Sequence, residues 1–318
     1  MKKVYITRSM PEIAEQLLKA AGFTVKTFEQ DRVIDKQILL REVTDADAVI
    51  SMLSDKIDSD VINAATRCKI FANYAVGYNN IDVTVARERG IYVTNTPGVL
   101  TDATADLTWA LLLDCARRVT EGDKLTRLGE FTGWAPLFMR GVQVTGKTLG
   151  LIGAGRIALA VAERARGFDM KIIYYARSNK TNFEQVTGAT RVDLITLLKQ
   201  SDFISLHIPL TPDTHYLINE HEIRMMKPTA VLINTARGPV VNEAALITAL
   251  KNNRIFAAGL DVYEHEPELT QGLAELDNVV LAPHVGSATF ETRDAMAKLV
   301  VENVVAALNG EVPQNLVW

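Results

Sequence analysis

Leu149-Gly150-Leu151-Ile152-Gly153-Ala154-Gly155-Arg156-Ile157-Ala158 joins a short apolar run to an alanine-rich amphipathic stretch. It spells G-x-G-x-x-A between a predicted strand and a predicted helix. Gly153 allows a tight turn, Gly155 lets backbone approach a pyrophosphate, and Ala158 is small enough for close helix–strand packing. The helix that opens at Arg156 and Ile157 adds unpaired N–H groups and the positive end of a dipole. A bare glycine pattern also fits an ordinary strand-turn-helix. The strand before, the helix after and a further strand beyond favour a phosphate loop, with Gly153, Gly155, Arg156 and Ile157 as candidate cofactor ligands.

Around this loop the chain alternates β-branched runs with amphipathic stretches, which predicts parallel sheets crossed by helices. A first series of strands is expected at 4–7, 25–28, 48–51, 70–75 and 91–94, with a helix at 12–21 whose Ile13, Leu17 and Leu18 share a face. A second series is expected at 149–153, 171–176, 203–208, 230–234, 257–261 and 279–282, six strands that suit a dinucleotide-binding sheet. The turn signal Asn95-Thr96-Pro97-Gly98 separates the two and precedes one long helical pattern, 101–127. The final helix, 291–308, is not needed by the second sheet and is expected to cross back to the first. The fold class is thus α/β with two doubly wound parallel-sheet domains: a Rossmann-type cofactor domain at 99–286 and a smaller, flavodoxin-like substrate domain, discontinuous at 1–98 and 287–318.

The 318 residues suit two domains, and 48% hydrophobic with 23% charged residues is a globular composition. A formal net charge of −4 gives no bulk positive field, so neither nucleic acid nor a membrane surface is an expected partner. The two cysteines, Cys68 and Cys115, allow no disulfide framework and are read as core thiols of a reducing compartment. No export signal follows Lys2-Lys3, and the apolar run between Asp106 and Asp114 is far too short to span a bilayer. A cytoplasmic location is the expectation. His207, His215, His221 and His265 form no ligand cluster with carboxylates or cysteines, so no metal is expected.

In NAD-specific sites an acidic residue closes the second strand and accepts hydrogen bonds from the ribose hydroxyl. Here the strand ends Tyr175-Ala176-Arg177-Ser178-Asn179-Lys180, with no carboxylate. Arg177, Ser178 and Lys180 suit a 2′-phosphate through charge-assisted bonds, so NADP is favoured over NAD. The bland alternative is a solvated basic loop. His207, which closes the next strand in His207-Ile208-Pro209, lines the adenine side or simply packs.

Three loops after strands of the second series carry ionisable residues where ligands of open α/β sheets sit: Arg237, Glu266 and His284. A guanidinium binds a carboxylate bidentately, and a carboxylate beside an imidazole favours its protonated form, which makes a general acid. Taken singly, Arg237 reads as a surface cation, Glu266 as a turn residue and His284 as a core histidine. As a set they suit binding of a carboxylate by Arg237 and proton donation by His284. Hinges at Pro97-Gly98 and Gly286-Ser287 would close over the reactants and exclude water.

Val76-Gly77-Tyr78-Asn79-Asn80-Ile81-Asp82, Asn95-Thr96-Pro97-Gly98, Gly146-Lys147-Thr148-Leu149-Gly150, Asn234-Thr235-Ala236-Arg237-Gly238 and Ala282-Pro283-His284, in that order, resemble the D-isomer-specific 2-hydroxyacid dehydrogenase family across essentially the whole chain. The resemblance implies Arg237 as ligand of the substrate carboxylate and carbonyl, His284 as acid/base and Glu266 as its partner. It implies Asp261 beside the nicotinamide, Thr104 near the cofactor, and the Val76-Gly77 backbone, with Leu53, receiving the substrate. Gly133-Trp134-Ala135-Pro136 looks most like glyoxylate/hydroxypyruvate reductases, with Trp134 walling the substrate pocket, either within the chain or across a subunit boundary. Asn79 in place of a usual Asp, Ala158 in place of a usual Gly, and Met139-Arg140 depart from the pattern. The competing readings are a D-2-hydroxyacid dehydrogenase acting on phosphoglycerate, lactate or a bulkier oxo acid, and a nucleotide-sensing, corepressor-like binding protein. The apolar helix from Thr101 points to a homodimer.

Overall fold

The computed structural model describes all 318 residues. The chain divides into two compact units: Met1–Leu100 with Ser287–Trp318, and Thr101–Gly286.

The first unit opens with β1 (Lys3–Ile6), α1 (Glu12–Ala20), β2 (Thr24–Thr27), α2 (Lys36–Val43), β3 (Ala48–Ser51), α3 (Ser59–Ala64), β4 (Ile70–Asn73), α4 (Val83–Glu88) and β5 (Tyr92–Thr94). All its strand pairs are parallel, in the order β2-β1-β3-β4-β5, the flavodoxin-like winding. β3 and β4 are buried along their whole length, since helices cover both faces of a parallel sheet. Asp58 and Asp82 start α3 and α4 by accepting the N–H groups of Val61 and Val85.

The second unit comprises α5 (Thr101–Arg117), α6 (Val119–Arg127), β6 (Thr148–Ile152), α7 (Arg156–Ala165), β7 (Lys171–Tyr175), α8 (Thr181–Thr187), β8 (Thr190–Arg191), α9 (Leu194–Gln200), β9 (Phe203–Leu206), α10 (Glu220–Met225), β10 (Val231–Asn234), α11 (Glu243–Lys251), β11 (Ala257–Leu260) and β12 (Val279–Leu281). Its parallel sheet runs β12-β11-β10-β9-β6-β7-β8. From β6 the chain winds one way through β7 and β8, then returns to place β9 on the other side, the Rossmann pattern with its switch point between β6 and β9. The last helix, α12 (Phe290–Leu308), belongs to the first unit and packs on α1 and β4.

The structure corrects the sequence pattern in three places. The second sheet has seven strands rather than six: β8 is two exposed residues, Thr190 and Arg191, paired with Ile173 and Tyr174 at the sheet edge, too short and polar to show a pattern. The helical pattern 101–127 is two helices, broken where Arg118 adopts a left-handed backbone (φ 56°). There the Asp114 carboxylate accepts the N–H (2.8 Å) and hydroxyl of Thr120, and Arg118 pairs with Glu121 at 2.5 Å. In α1, on which α12 packs, the buried residues are Ala14 and Leu18, while Leu17 turns outward.

The apolar character of α5, which in sequence suggests a subunit interface, is used inside the unit. Ala105, Trp109, Leu111, Leu112, Cys115 and Ala116 are buried, and α5 packs on α7, β10 and β11. Trp109 donates its indole N–H to the Val161 carbonyl (3.1 Å) and stacks on Phe168 with ring centroids 4.9 Å apart. Cys68 and Cys115 are buried free thiols; burial pushes Cys68 up to about 12 and Cys115 upward as well. No helix is long and apolar enough to cross a membrane.

Leu112 is completely buried in this core. Leu112→Ala is expected to lower stability by about 2–5 kcal/mol through lost transfer energy and a residual cavity, read as a lower urea midpoint at unchanged slope.

Candidate active site

The loop after β6 sits at the switch point. Gly153 has φ +108°, and a Cβ there would lie 2.3 Å from the His207 carbonyl oxygen, so the loops after β6 and β9 are pressed together in a way only glycine allows. Nothing lies within 4 Å of a Cβ built on Gly155, which leaves the open approach a pyrophosphate needs. In the first turn of α7 Ala158 is fully buried, Arg156 is exposed and Ile157 half-buried. The first N–H groups of α7 lie at this opening, a donor set that fits a nucleotide phosphate. His207 bonds back to its own strand, Nε2 to Ser205 Oγ at 2.9 Å. Burial drives its imidazole down to about 3, so it is neutral at physiological pH.

The end of β7 lies beside the glycine loop, since Gly153 donates its N–H to the Tyr175 carbonyl (2.9 Å). Arg177, Ser178 and Lys180 stand at the surface there. The Tyr174 hydroxyl accepts the Lys180 N–H (3.0 Å) and donates to Glu184 (2.8 Å), fixing the turn. Arg191, from β8, donates to the carbonyls of Ala176 (2.9 Å) and Arg177 (3.2 Å). It is a third cation at this edge, invisible without β8.

Three loops at the carboxyl ends of β10, β11 and β12 carry Arg237, Glu266 and His284. His284 Nδ1 and Glu266 Oε2 are 2.7 Å apart, and both side chains are partly exposed. Burial would raise the Glu266 carboxyl, but the hydrogen bond and charge of His284, the Tyr263 N–H (3.0 Å) and Arg237 hold it below its ordinary value. Burial pulls the Arg237 guanidinium down, and the charge of Glu266 opposes this. Arg237 also donates to the Ala236 carbonyl at 2.6 Å. His284 has a left-handed backbone (φ 53°), a strain of about 1–3 kcal/mol for a non-glycine residue. The buried Asp261 sustains it by accepting the N–H groups of Val285 (2.7 Å) and Gly286 (2.8 Å). Burial raises the Asp261 carboxyl, while those N–H groups and His284 pull the other way. Thr104, buried in the first turn of α5, lies against Gly286: a Cβ there would be 3.4 Å from its methyl carbon.

The supports of these loops carry no sequence signal of their own. Asn234 donates to the Arg237 carbonyl (2.9 Å) and accepts from Ala236 (3.0 Å). Gly238 touches the loop after β11: a Cβ would fall 1.9 Å from the Tyr263 carbonyl atoms. The carboxylates of Glu243 and Glu264 exchange bonds with each other's backbone N–H (2.8 and 2.6 Å). Tyr263, pushed up to about 12 by burial and then by nearby carboxylates, donates to the Ala282 carbonyl (2.8 Å) two residues before His284.

In the first unit, Leu53, Val76 and Gly77 stand in the loops just past β3 and β4, at the carboxyl edge of the sheet. Trp134 is 85% exposed and lines nothing within its own unit, so its expected place in the substrate pocket has no counterpart there.

A profile of the D-isomer specific 2-hydroxyacid dehydrogenase NAD-binding domain matches residues 109–286, more than half of the chain and nearly all of the second unit. The chain belongs to the D-isomer-specific 2-hydroxyacid dehydrogenase family. It is an oxidoreductase that uses a nicotinamide dinucleotide. A glyoxylate reductase of Thermococcus kodakarensis is 54% identical over 99% of this chain and 96% of its own length. A crystal structure of a Thermus thermophilus protein superposes with a TM-score of 0.94 at 44% identity, covering 99% of this chain and 100% of that one. The NADPH-dependent glyoxylate/hydroxypyruvate reductase of Sinorhizobium meliloti, solved with NADP and malonate, gives 0.87 at 32% identity over 99% and 96%.

Two substitutions test the assembled site of this dehydrogenase. Glu266→Gln keeps the shape but removes the charge beside His284; it should lower kcat at least tenfold in initial rates of reduction. Gly238→Ala forces the loops after β10 and β11 apart and should abolish activity while lowering the melting temperature, which calorimetry reads directly.

Proposed function

We propose that the protein reduces glyoxylate and hydroxypyruvate to their D-2-hydroxy acids with NADPH. The observation that carries this reading is the His284–Glu266 pair, 2.7 Å apart, electrostatically coupled to Arg237 on a loop of the same sheet edge. The names of the T. kodakarensis and S. meliloti relatives support the substrate class.

Gly153, Gly155, Arg156 and Ile157 would hold the pyrophosphate of a bound nicotinamide dinucleotide, with Thr104 and Asp261 toward its nicotinamide end, and in its reduced form that cofactor would supply the hydride for C2 of the oxo acid. Arg237 fixes the substrate carboxylate and carbonyl and offsets the negative charge that develops on the carbonyl oxygen. His284 gives that oxygen the proton on Nε2, and Glu266 at Nδ1 holds the tautomer and the positive charge before transfer. Asp261 keeps the turn after His284 fixed, so the imidazole need not reorganise during the reaction. Val76 and Gly77 receive the carboxylate through backbone N–H groups, with Leu53 beside them.

Arg177, Ser178 and Lys180 at the end of β7 favour NADPH, because no carboxylate repels a 2′-phosphate there. We read the protein as a homodimer with a different surface from the one the sequence suggested. Leu128, Phe131, Trp134, Leu137 and Phe138 expose large apolar groups over one short stretch, and a second copy would cover them.

Rates with NADPH and NADH against a panel of 2-oxo acids test the reading. kcat/KM should be highest with glyoxylate or hydroxypyruvate and NADPH, and Arg177→Ala should shift cofactor preference at least tenfold toward NADH. A clear NADH preference in the unaltered enzyme refutes the cofactor assignment. His284→Gln should cut kcat about a hundredfold or more with little change in KM.

A further inference from the structure

We infer that Asn95 is a positioning residue for the substrate carboxylate, acting through the backbone of Val76 and Gly77. The inference rests on the reductase reading above and deepens it.

The loop after β4 has an unusual hydrogen-bond pattern. Three consecutive carbonyls are each held by a donor from the same unit. The Thr96 N–H bonds the Ala75 oxygen (2.9 Å), Asn95 Nδ2 bonds the Val76 oxygen (2.8 Å), and Asn73 Nδ2 bonds the Gly77 oxygen (2.8 Å). A trans peptide is planar, with its carbonyl and N–H on opposite sides. Fixing those three carbonyls therefore fixes the N–H groups of Val76, Gly77 and Tyr78, each aimed away from the donor that holds its plane. None of the three N–H groups bonds to an acceptor within the chain. Val76 and Gly77 are half-buried and Tyr78 is exposed, so the row is accessible at the carboxyl edge of the sheet. Successive backbone N–H groups left without internal acceptors are an anion receptor, and a carboxylate is the anion the reaction presents.

The three anchors are not equivalent. Thr96 acts through its backbone, which no side-chain change removes. Asn73 is completely buried and also bonds Ser51 and Asn80, so it belongs to the framework of the loop. Asn95 spends its side-chain donor on the Val76 carbonyl, and its own backbone is held by the Asn315 carbonyl (3.3 Å) beside the Thr94–Leu316 bridge. It is the one anchor whose removal leaves the framework in place while freeing the peptide plane that carries the Gly77 N–H. An aspartate there has the same shape but, when ionised, no donor, and it would face the carbonyl oxygen with negative charge.

Asn95→Asp and Asn95→Ala test this. With glyoxylate and NADPH, both should raise KM for glyoxylate at least tenfold with kcat within about threefold of the unaltered enzyme. The inhibition constant of oxalate, a two-carbon carboxylate, should rise by the same factor, and the NADPH dissociation constant from fluorescence titration should not change. Unchanged KM and oxalate binding in both variants overturns the inference. Loss of the native melt in both, or equal losses in kcat and NADPH affinity, overturns it too by making Asn95 structural. Calorimetric titration of oxalate into the NADPH-bound enzyme and both variants keeps the two claims apart. If the unaltered enzyme binds oxalate but reduces no glyoxylate, the reductase reading falls, while the Asn95 effect on oxalate affinity still stands or fails by itself.

Discussion

The hydrogen bond between Glu266 and His284 joins residues 18 apart on loops after adjacent strands, and much of the second unit serves to make it possible. A carboxylate and an imidazole meet at 2.7 Å in partial solvent only if both loops are rigid, since holding two side chains in one geometry costs entropy that water contacts would otherwise retain. Rigidity comes from buried polar contacts. Asp261 fixes the backbone after His284, Tyr263 fixes the carbonyl of Ala282 before it, and the backbone N–H of Tyr263 holds Glu266 itself. Each is a group that would be costly to leave unpaired once buried, so the loop conformations are strongly specified.

The same logic places Arg237. Its loop is tied by Asn234 and set against Tyr263 through the bare backbone of Gly238, so the spacing of two loops is decided by the absence of one methyl group. At the switch point itself Gly153 performs the equivalent service against His207. The site is thus framed by close backbone contacts, with charged side chains projecting from them. Charges projecting from a fixed frame need little reorganisation when charge develops on a bound oxygen.

Much of this is legible in the sequence because it lies in local pattern. The glycine loop is contiguous, and buried parallel strands read as unbroken β-branched runs. Arg237, Glu266 and His284 stand out as ionisable residues just past such runs. What escapes reading is set by tertiary contact. Thr190 and Arg191 form a strand only because β7 offers an open edge. The helix break at Arg118 depends on Asp114 capping Thr120, in a polar stretch that looks helical in isolation. Ala14 is buried and Leu17 is not, although Leu17 lies on the apolar face in sequence, and the helix packed on α1, α12, comes from the far end of the chain. Glu243, in the first turn of α11, is 2% exposed and pairs with the backbone of a remote loop, a contact with no local pattern.

That late helix has a consequence for biosynthesis. The second unit is one continuous segment, whereas the sheet of the first unit waits for α12, whose Met296, Val300 and Val304 bury themselves only after residues 101–286 have been made. On a ribosome adding about 5–20 residues per second, the inner segment can complete its core while the earlier strands are still uncovered along the face that α12 will occupy. The order of emergence and the order of completion are therefore reversed, and the nascent amino-terminal third is the portion most in need of chaperone shelter.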